Sequence, residues 1–151
     1  MACGLSTARG CHTGAGACVI AGKEAQNLMK ILAFILAAMM TANGAYMFVD
    51  PPSWYAAVPG VPDTGPLNLH FVRDIGIAYF TAGIAVAWSA LGAGWRASAL
   101  GALFVGGHSL LHAGETVMGH HHDVLLNELI GVHLPAVLTV VLSIWRRRSA
   151  S

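Results

Sequence analysis

The sequence predicts an all-α fold, an integral membrane bundle of four antiparallel transmembrane helices. Four apolar stretches, residues 28–49, 71–95, 97–118 and 124–145, are each long enough to rise about 30 Å as a helix, one hydrocarbon core. Of the 151 residues, 56% are hydrophobic and 10% charged, where soluble domains carry about 25% charge. The basic residues lie on alternate connections between the stretches, the pattern that orients membrane helices. A soluble chain of this composition would have to bury nearly all of itself, and the length allows one domain.

Residues 1–27 form a head rich in Gly, Ala and Ser, without aromatic residues or apolar periodicity, and are expected to be flexible. The head holds all three cysteines, Cys3, Cys11 and Cys18, at a spacing that matches no zinc pattern. Their odd count forbids full intramolecular pairing, and Cys11-His12 lacks the second cysteine of a haem attachment site. A reduced tail and a redox or metal-sensing tail are both open readings. Lys30, the apolar run after it and the small residues Thr41, Ala42 and Gly44 have the outline of a signal peptide. Apolar character continues through Tyr46, Met47, Phe48 and Val49, so 28–49 is expected to be a retained first helix, with starts at Met1 and at Met29, the latter making the head an extension, both open readings.

Residues 51–66 carry Pro51, Pro52, Pro59, Pro62 and Pro66 with Gly60 and Gly65, which predicts fixed turns rather than a helix. In the second and third helices, Gly83 with Ala87 and Gly101 with Val105 and Gly106 place small residues where backbones approach closely. Met39, Met40 and Met47 read as packing between helices rather than as copper ligands. Arg146, Arg147 and Arg148 end the fourth helix, which bounds the transmembrane domain at 28–148.

Arg9, Lys23 and Lys30 precede the first helix, Arg96 sits in the short second connection and the arginine triplet follows the fourth helix. The positive-inside rule then places both termini and the Arg96 turn in the cytoplasm, with 50–70 and 119–123 on the outer side, the periplasm of a bacterial inner membrane. Trp54, Tyr55, Trp95 and Trp145 fall near the expected boundaries, where amphipathic rings prefer to sit.

The ionisable residues inside the spans are the candidate functional residues, because a charge in lipid is costly unless it meets a partner or a water-filled cavity. His108, His112 and Glu115 share a sector of about 60° on the third helix, at depths of roughly 15, 9 and 5 Å below the outer surface. On the fourth helix Glu128 and His133 lie at roughly 6 and 14 Å, level with them. In an ideal α-helix Glu128 and His133 are about 140° apart, so both are not expected to face the third helix. Pro135 frees the carbonyl of Gly131 as a further acceptor. From the second helix His70, Arg73 and Asp74 enter at the same surface, and Arg73 is expected to bridge Glu115 and Glu128, with Asn43 completing the hydrogen bonding.

This cluster reads in four ways. It is a structural network pinning the helices, or a ligand site of His70, Arg73, Asp74, His112, Glu115 and Glu128 whose cations attract a small anion. As a metal site it would use His108, His112, Glu115 and His133 for a transition metal, with a haem between His108 and His133 as a variant. As a proton path it would stop near the midplane. His120, His121 and His122 in the last outer loop read as a polar turn or as a metal- or pH-responsive cluster.

A net charge of +1 and the lack of basic stretches interleaved with aromatics argue against nucleic acid as a partner. No activated nucleophile, phosphate-cradling loop or dinucleotide fingerprint occurs in a suitable context. The expected function is therefore a non-enzymatic membrane component whose partners are the lipid bilayer, a small ligand, and another membrane protein or a second copy. A metal- or haem-binding redox protein and a proton-coupled carrier are the alternatives.

The segments Pro52-Ser53-Trp54-Tyr55, Asn68-Leu69-His70-Phe71-Val72-Arg73-Asp74-Ile75-Gly76 and His108-Ser109-Leu110-Leu111-His112-Ala113-Gly114-Glu115 resemble those of a family of small bacterial inner-membrane proteins distantly similar to the DoxX-like four-helix group. The resemblance covers 28–145. It implies the four-helix fold and the location but no activity.

Overall fold

The computed structural model describes residues 12–118 and 125–150, and nearly all of them are helical. Helix α1 runs His12–Val49, so 12–27, expected as a flexible head, continue the first span as helix. The sequence explains the correction: no proline precedes Pro51, and Ala, Lys23, Glu24 and Gln26 favour propagation from a helix already nucleated. Cys3, Cys11, the side chain of Cys18 and His120, His121 and His122 lie outside the described residues.

The proline-rich outer segment is a second correction, because it forms a short helix α2 (Pro51–Ala57) and a 3₁₀ turn (Val61–Thr64) rather than turns alone. Asp50 caps α2, its carboxylate accepting from the Ser53 amide at 3.2 Å. Pro51 and Pro52 occupy the first positions, where a missing N–H costs nothing. The Tyr55 hydroxyl lies 2.5 Å from the carbonyl of Gly65 and 3.2 Å from that of Pro62, folding the segment back on itself. The Trp54 indole donates to Asn43 Oδ1 at 3.0 Å and fastens it to α1.

Helix α3 (Leu69–Trp88) starts at Asn68, whose side chain accepts from the amides of His70 and Phe71. A π-helical turn at Ser89–Ala93 ends it, and Gly92 (φ 115°) and Gly94 (φ 83°) take left-handed conformations that turn the chain into α4 (Trp95–Val117). After the outer connection, α5 (Leu125–Glu128), a π turn (Leu129–His133) and α6 (Leu134–Ser149) follow without interruption. The Leu134 amide bonds back to the Leu129 carbonyl, five residues earlier.

Glycine sets how closely the helices approach. A side chain at Gly44 would meet the backbone of Gly76 and Phe80, and one at Gly83 would meet Thr41 and the carbonyl of Ala37, so α1 and α3 touch almost backbone to backbone in antiparallel sense. Gly101 of α4 meets Ala82 and Val86 of α3, and α4 packs in turn on α6. Ala33, Leu36, Met40, Val86, Val105 and Leu142 are buried between the helices. The hydroxyls of Ser89, Ser98, Thr139 and Ser143 are also buried and bond to carbonyls of their own helices at 2.7 to 3.0 Å.

Three helical segments, Gly22–Val49, Leu69–Ala93 and Leu125–Ser149, are long and apolar enough to cross a membrane. Helix α4 is long enough, but its serines, glycines, histidines and Glu115 dilute its apolar character below the other three. Replacing Gly44 by Ala forces α1 and α3 apart and is expected to lower stability by about 1–3 kcal/mol. Gly107 faces open space, and Gly107→Ala is expected to raise stability by about 0.5–1 kcal/mol. Thermal unfolding of the two variants in detergent, followed by circular dichroism, checks both signs.

Candidate functional site

An imidazole–carboxylate contact joins α4 to α5 near the Val117 and Leu125 ends. His112 Nδ1 lies 3.0 Å from Glu128 Oε1, with the two side chains 24% and 9% exposed. An ionised carboxylate only accepts, so Nδ1 carries the proton and Nε2 is left for other contacts. Thr116, one turn beyond His112, places its hydroxyl 3.0 Å from the His112 carbonyl and 3.2 Å from Glu128 Oε2. Both carboxylate oxygens of Glu128 thus meet α4.

One turn deeper, Ser109 Oγ lies 2.7 Å from His133 Nδ1. Glu128 and His133 therefore both face α4, against the 140° separation of an ideal helix. The π turn is the reason: it takes an extra residue to complete the turn between them, which brings His133 round to the side of Glu128. Pro135, which cannot donate to the Gly131 carbonyl inside the turn, stands two residues after it.

His108 continues the series inward through ring contacts. Its ring stands edge-on to His112 at 4.7 Å, stacks on Phe104 at 6.2 Å and meets Tyr79 of α3 edge-on at 5.6 Å. Tyr79 also packs edge-on against Phe104 at 5.0 Å. Phe104, His108 and His112 thus form a ladder at four-residue spacing, walled by Tyr79. Glu115 is half-buried, three residues on from His112.

The three candidates from the second helix stand apart from this ladder. Arg73 is exposed and its Nε donates to the carbonyl of Phe48 at 3.3 Å, at the end of α1. The expected bridge from Arg73 to Glu115 and Glu128 is therefore corrected to a cap on α1, and His112 takes the place of the arginine at Glu128. The physical cause is the order of packing: α3 lies between α1 and α4, whereas Glu128 reaches α4. His70 and Asp74 pair with each other at 3.4 Å on the surface, one turn apart. Asn43, expected in the cluster, is taken by Trp54 and by Met47 Sδ at 3.6 Å.

The candidate metal set is divided in the same way, with His108 among aromatic rings, His112 on Glu128 and His133 on Ser109. Among the described residues no three His, Cys, Asp or Glu side chains converge as a metal site. Sequence reasoning missed Ser109, Thr116 and Tyr79. Ser109, His112 and Thr116 follow one another at spacings of three and four, so the hydroxyls were readable on the polar face of α4.

Fold and site together define a helical protein with three helices apolar enough to span a membrane and an imidazole–carboxylate pair between two of its helical segments. No family model, curated protein or solved structure matches this chain.

If the pair holds α4 to α5, His112→Leu strands a buried carboxylate and is expected to cost about 2–3 kcal/mol, while Thr116→Val, which removes one neutral donor, costs about 1 kcal/mol. Unfolding midpoints in mixed micelles rank the two. Equal effects, or none, would contradict the geometry.

Proposed function

We propose that the chain is a multi-pass protein of a bacterial inner membrane. All four long helical segments cross as an antiparallel bundle with both termini in the cytoplasm, and the His112–Glu128 site, open toward the periplasm, binds a small ligand or partner subunit. The carrying observation is the burial of the Glu128 side chain, 9% exposed, against a His112 side chain that keeps 24% exposure. A contact serving only to join helices needs no accessible imidazole, and here Nδ1 is held while Nε2 meets no hydrogen-bond partner among the described residues.

The surface of α4 supports the fourth span. Leu100, Leu103 and Leu110 stand outward at 66%, 73% and 75% exposure, whereas Ser109, His112 and Thr116 turn to α5 and the following π turn. An apolar outer face over a polar inner one is what a lipid-facing helix requires. Lys30, Arg96 and the arginine triplet all belong to one side of the bundle, which supports the orientation. The DoxX-like resemblance of 28–145 belongs to the same proposal.

With Arg73 on the α1 side, the ionisable groups around the site among the described residues are carboxylates and imidazoles. They suit a ligand with a positive charge or hydrogen-bond donors, such as a small amine, better than the anion expected from the sequence. A second reading, a proton-coupled carrier, draws on the succession of His108, His112 and Glu128, with a ring contact between the imidazoles and a hydrogen bond from His112 to Glu128. Metal and haem chemistry gain no support from the divided ligands.

Thermal shift of the detergent-purified protein with ethylammonium, choline and acetate tests the binding reading. An amine near 100 times its Kd should raise Tm by about 5 °C, and Glu128→Gln should abolish the shift. Shifts of equal size in the variant, or none with either amine, reject it. In proteoliposomes with a trapped pH dye, acid equilibration slowed by Glu128→Gln supports the carrier, and equal rates reject it.

A further inference from the structure

A second feature lies at the opposite end of the helices, where Lys30, the α3–α4 turn and the end of α6 meet. A cavity of about 230 Å³ is lined there by Gln26, Lys30, Ser89, Trp95, Trp145 and Arg146, with Gly92 and Gly94 at the turn. Among the described residues no Asp or Glu lines it. The volume is below the roughly 300 Å³ of pockets for drug-sized molecules and suits a compact group.

Arg146 is the central residue. Its Nη1 donates to the carbonyl of Ser89 at 2.5 Å, which fixes the guanidinium across the end of α3. Its Nε is buried and meets no partner among the described residues. A guanidinium held by one nitrogen, with further N–H groups in a planar fork, is pre-arranged for the tetrahedral oxygens of a phosphate. Lys30, exposed at the rim on α1, adds a mobile ammonium. Outside the cavity, the guanidinium carbons of Arg96 and Arg147 lie 5.1 and 5.4 Å from the Trp95 ring centre, which raises the local positive charge and stiffens one wall. The left-handed glycines matter as well: they interrupt the helix between α3 and α4 and leave the bend bare of side chains beside the cations.

We infer that this cavity binds a phosphate group, using Arg146 as the fork and Lys30 as the second charge. Two tryptophans in its lining and a row of arginines around it match the boundary of a membrane with an anionic leaflet, where phosphate is presented as a phospholipid headgroup. Free phosphate shares the chemistry, and the test separates the two sources.

The full chain is purified in a neutral detergent and its thermal unfolding followed with added phosphatidylglycerol, phosphatidylcholine or inorganic phosphate. Stabilisation by phosphatidylglycerol beyond phosphatidylcholine, with apparent affinity about tenfold weaker in Arg146→Gln, assigns the site to an anionic lipid. Stabilisation by inorganic phosphate that Arg146→Gln weakens likewise assigns it to soluble phosphate. Arg73→Gln, at the other end of the helices where Arg73 meets the Phe48 carbonyl, should leave either response within about twofold of wild type. Should Arg146→Gln fail to fold, Lys30→Gln at the exposed rim replaces it, with a smaller loss in the same direction. No stabilisation by either phosphate source, or stabilisation that neither variant weakens, overturns the assignment.

Discussion

A carboxylate buried between apolar helices is the constraint on which the described arrangement turns. Glu128 must find donors or lose its charge, since desolvating an isolated carboxylate costs more than any one contact returns. It finds them on α4, in the Nδ1–H of His112 and the hydroxyl of Thr116. Meeting both requires α4 to lie alongside α5 in one register and one rotation. That register also sets Ser109 opposite His133, and the π turn keeps both acceptor and imidazole on the same side. A single burial problem therefore dictates helix order, helix rotation and a local departure from α geometry.

The contact between α1 and α3 follows different physics. Where α4 and α5 are joined by ionisable side chains, α1 and α3 are joined by the absence of side chains, with Gly44 on Gly76 and Gly83 on Ala37 and Thr41. Close backbones gain dispersion over a long contact and need no polar partner. The division leaves α1 and α3 as a tightly packed pair and places the contacts of the buried Glu128 at α4. Chemistry at His112 is thereby separated from the part of the molecule with least room to move.

Three of the four expected spans were legible because their signal is additive: some twenty apolar residues outvote any single polar one. The same averaging explains why α4 falls short of the other three, since the residues that interest a chemist there are those that dilute it. Site membership was legible on α4, where spacings of three and four define a face, and for Glu128 and His133 by depth. It was not legible for Arg73, because depth alone says nothing about which neighbour a helix faces, and α3 turns Arg73 to Phe48. The α2 helix was hidden by counting prolines without weighing position, for Pro51 and Pro52 after Asp50 are where a helix tolerates them. The π turn lay behind Pro135, read as a freed carbonyl rather than as a change of register.

The two ends of the molecule carry opposite chemistry, and the sequence separation of the groups accounts for it. Acidic and imidazole side chains meet where α4 ends and α5 begins, and guanidinium and ammonium groups gather where α6 ends and α1 passes the α3–α4 turn. Helix termini reinforce both: a helix start favours a carboxylate, as at Glu128 in the first turn of α5, and a helix end favours cations, as in the last turn of α6. In the proposed membrane placement, the basic end flanked by tryptophans rests against an anionic face and sets the depth of the groups above it. With one helix rising 1.5 Å per residue, a shift of a single residue at Arg146 would then move Glu128 by the same small step. On that proposal the depth of the imidazole–carboxylate pair is set from the far end of its own helix.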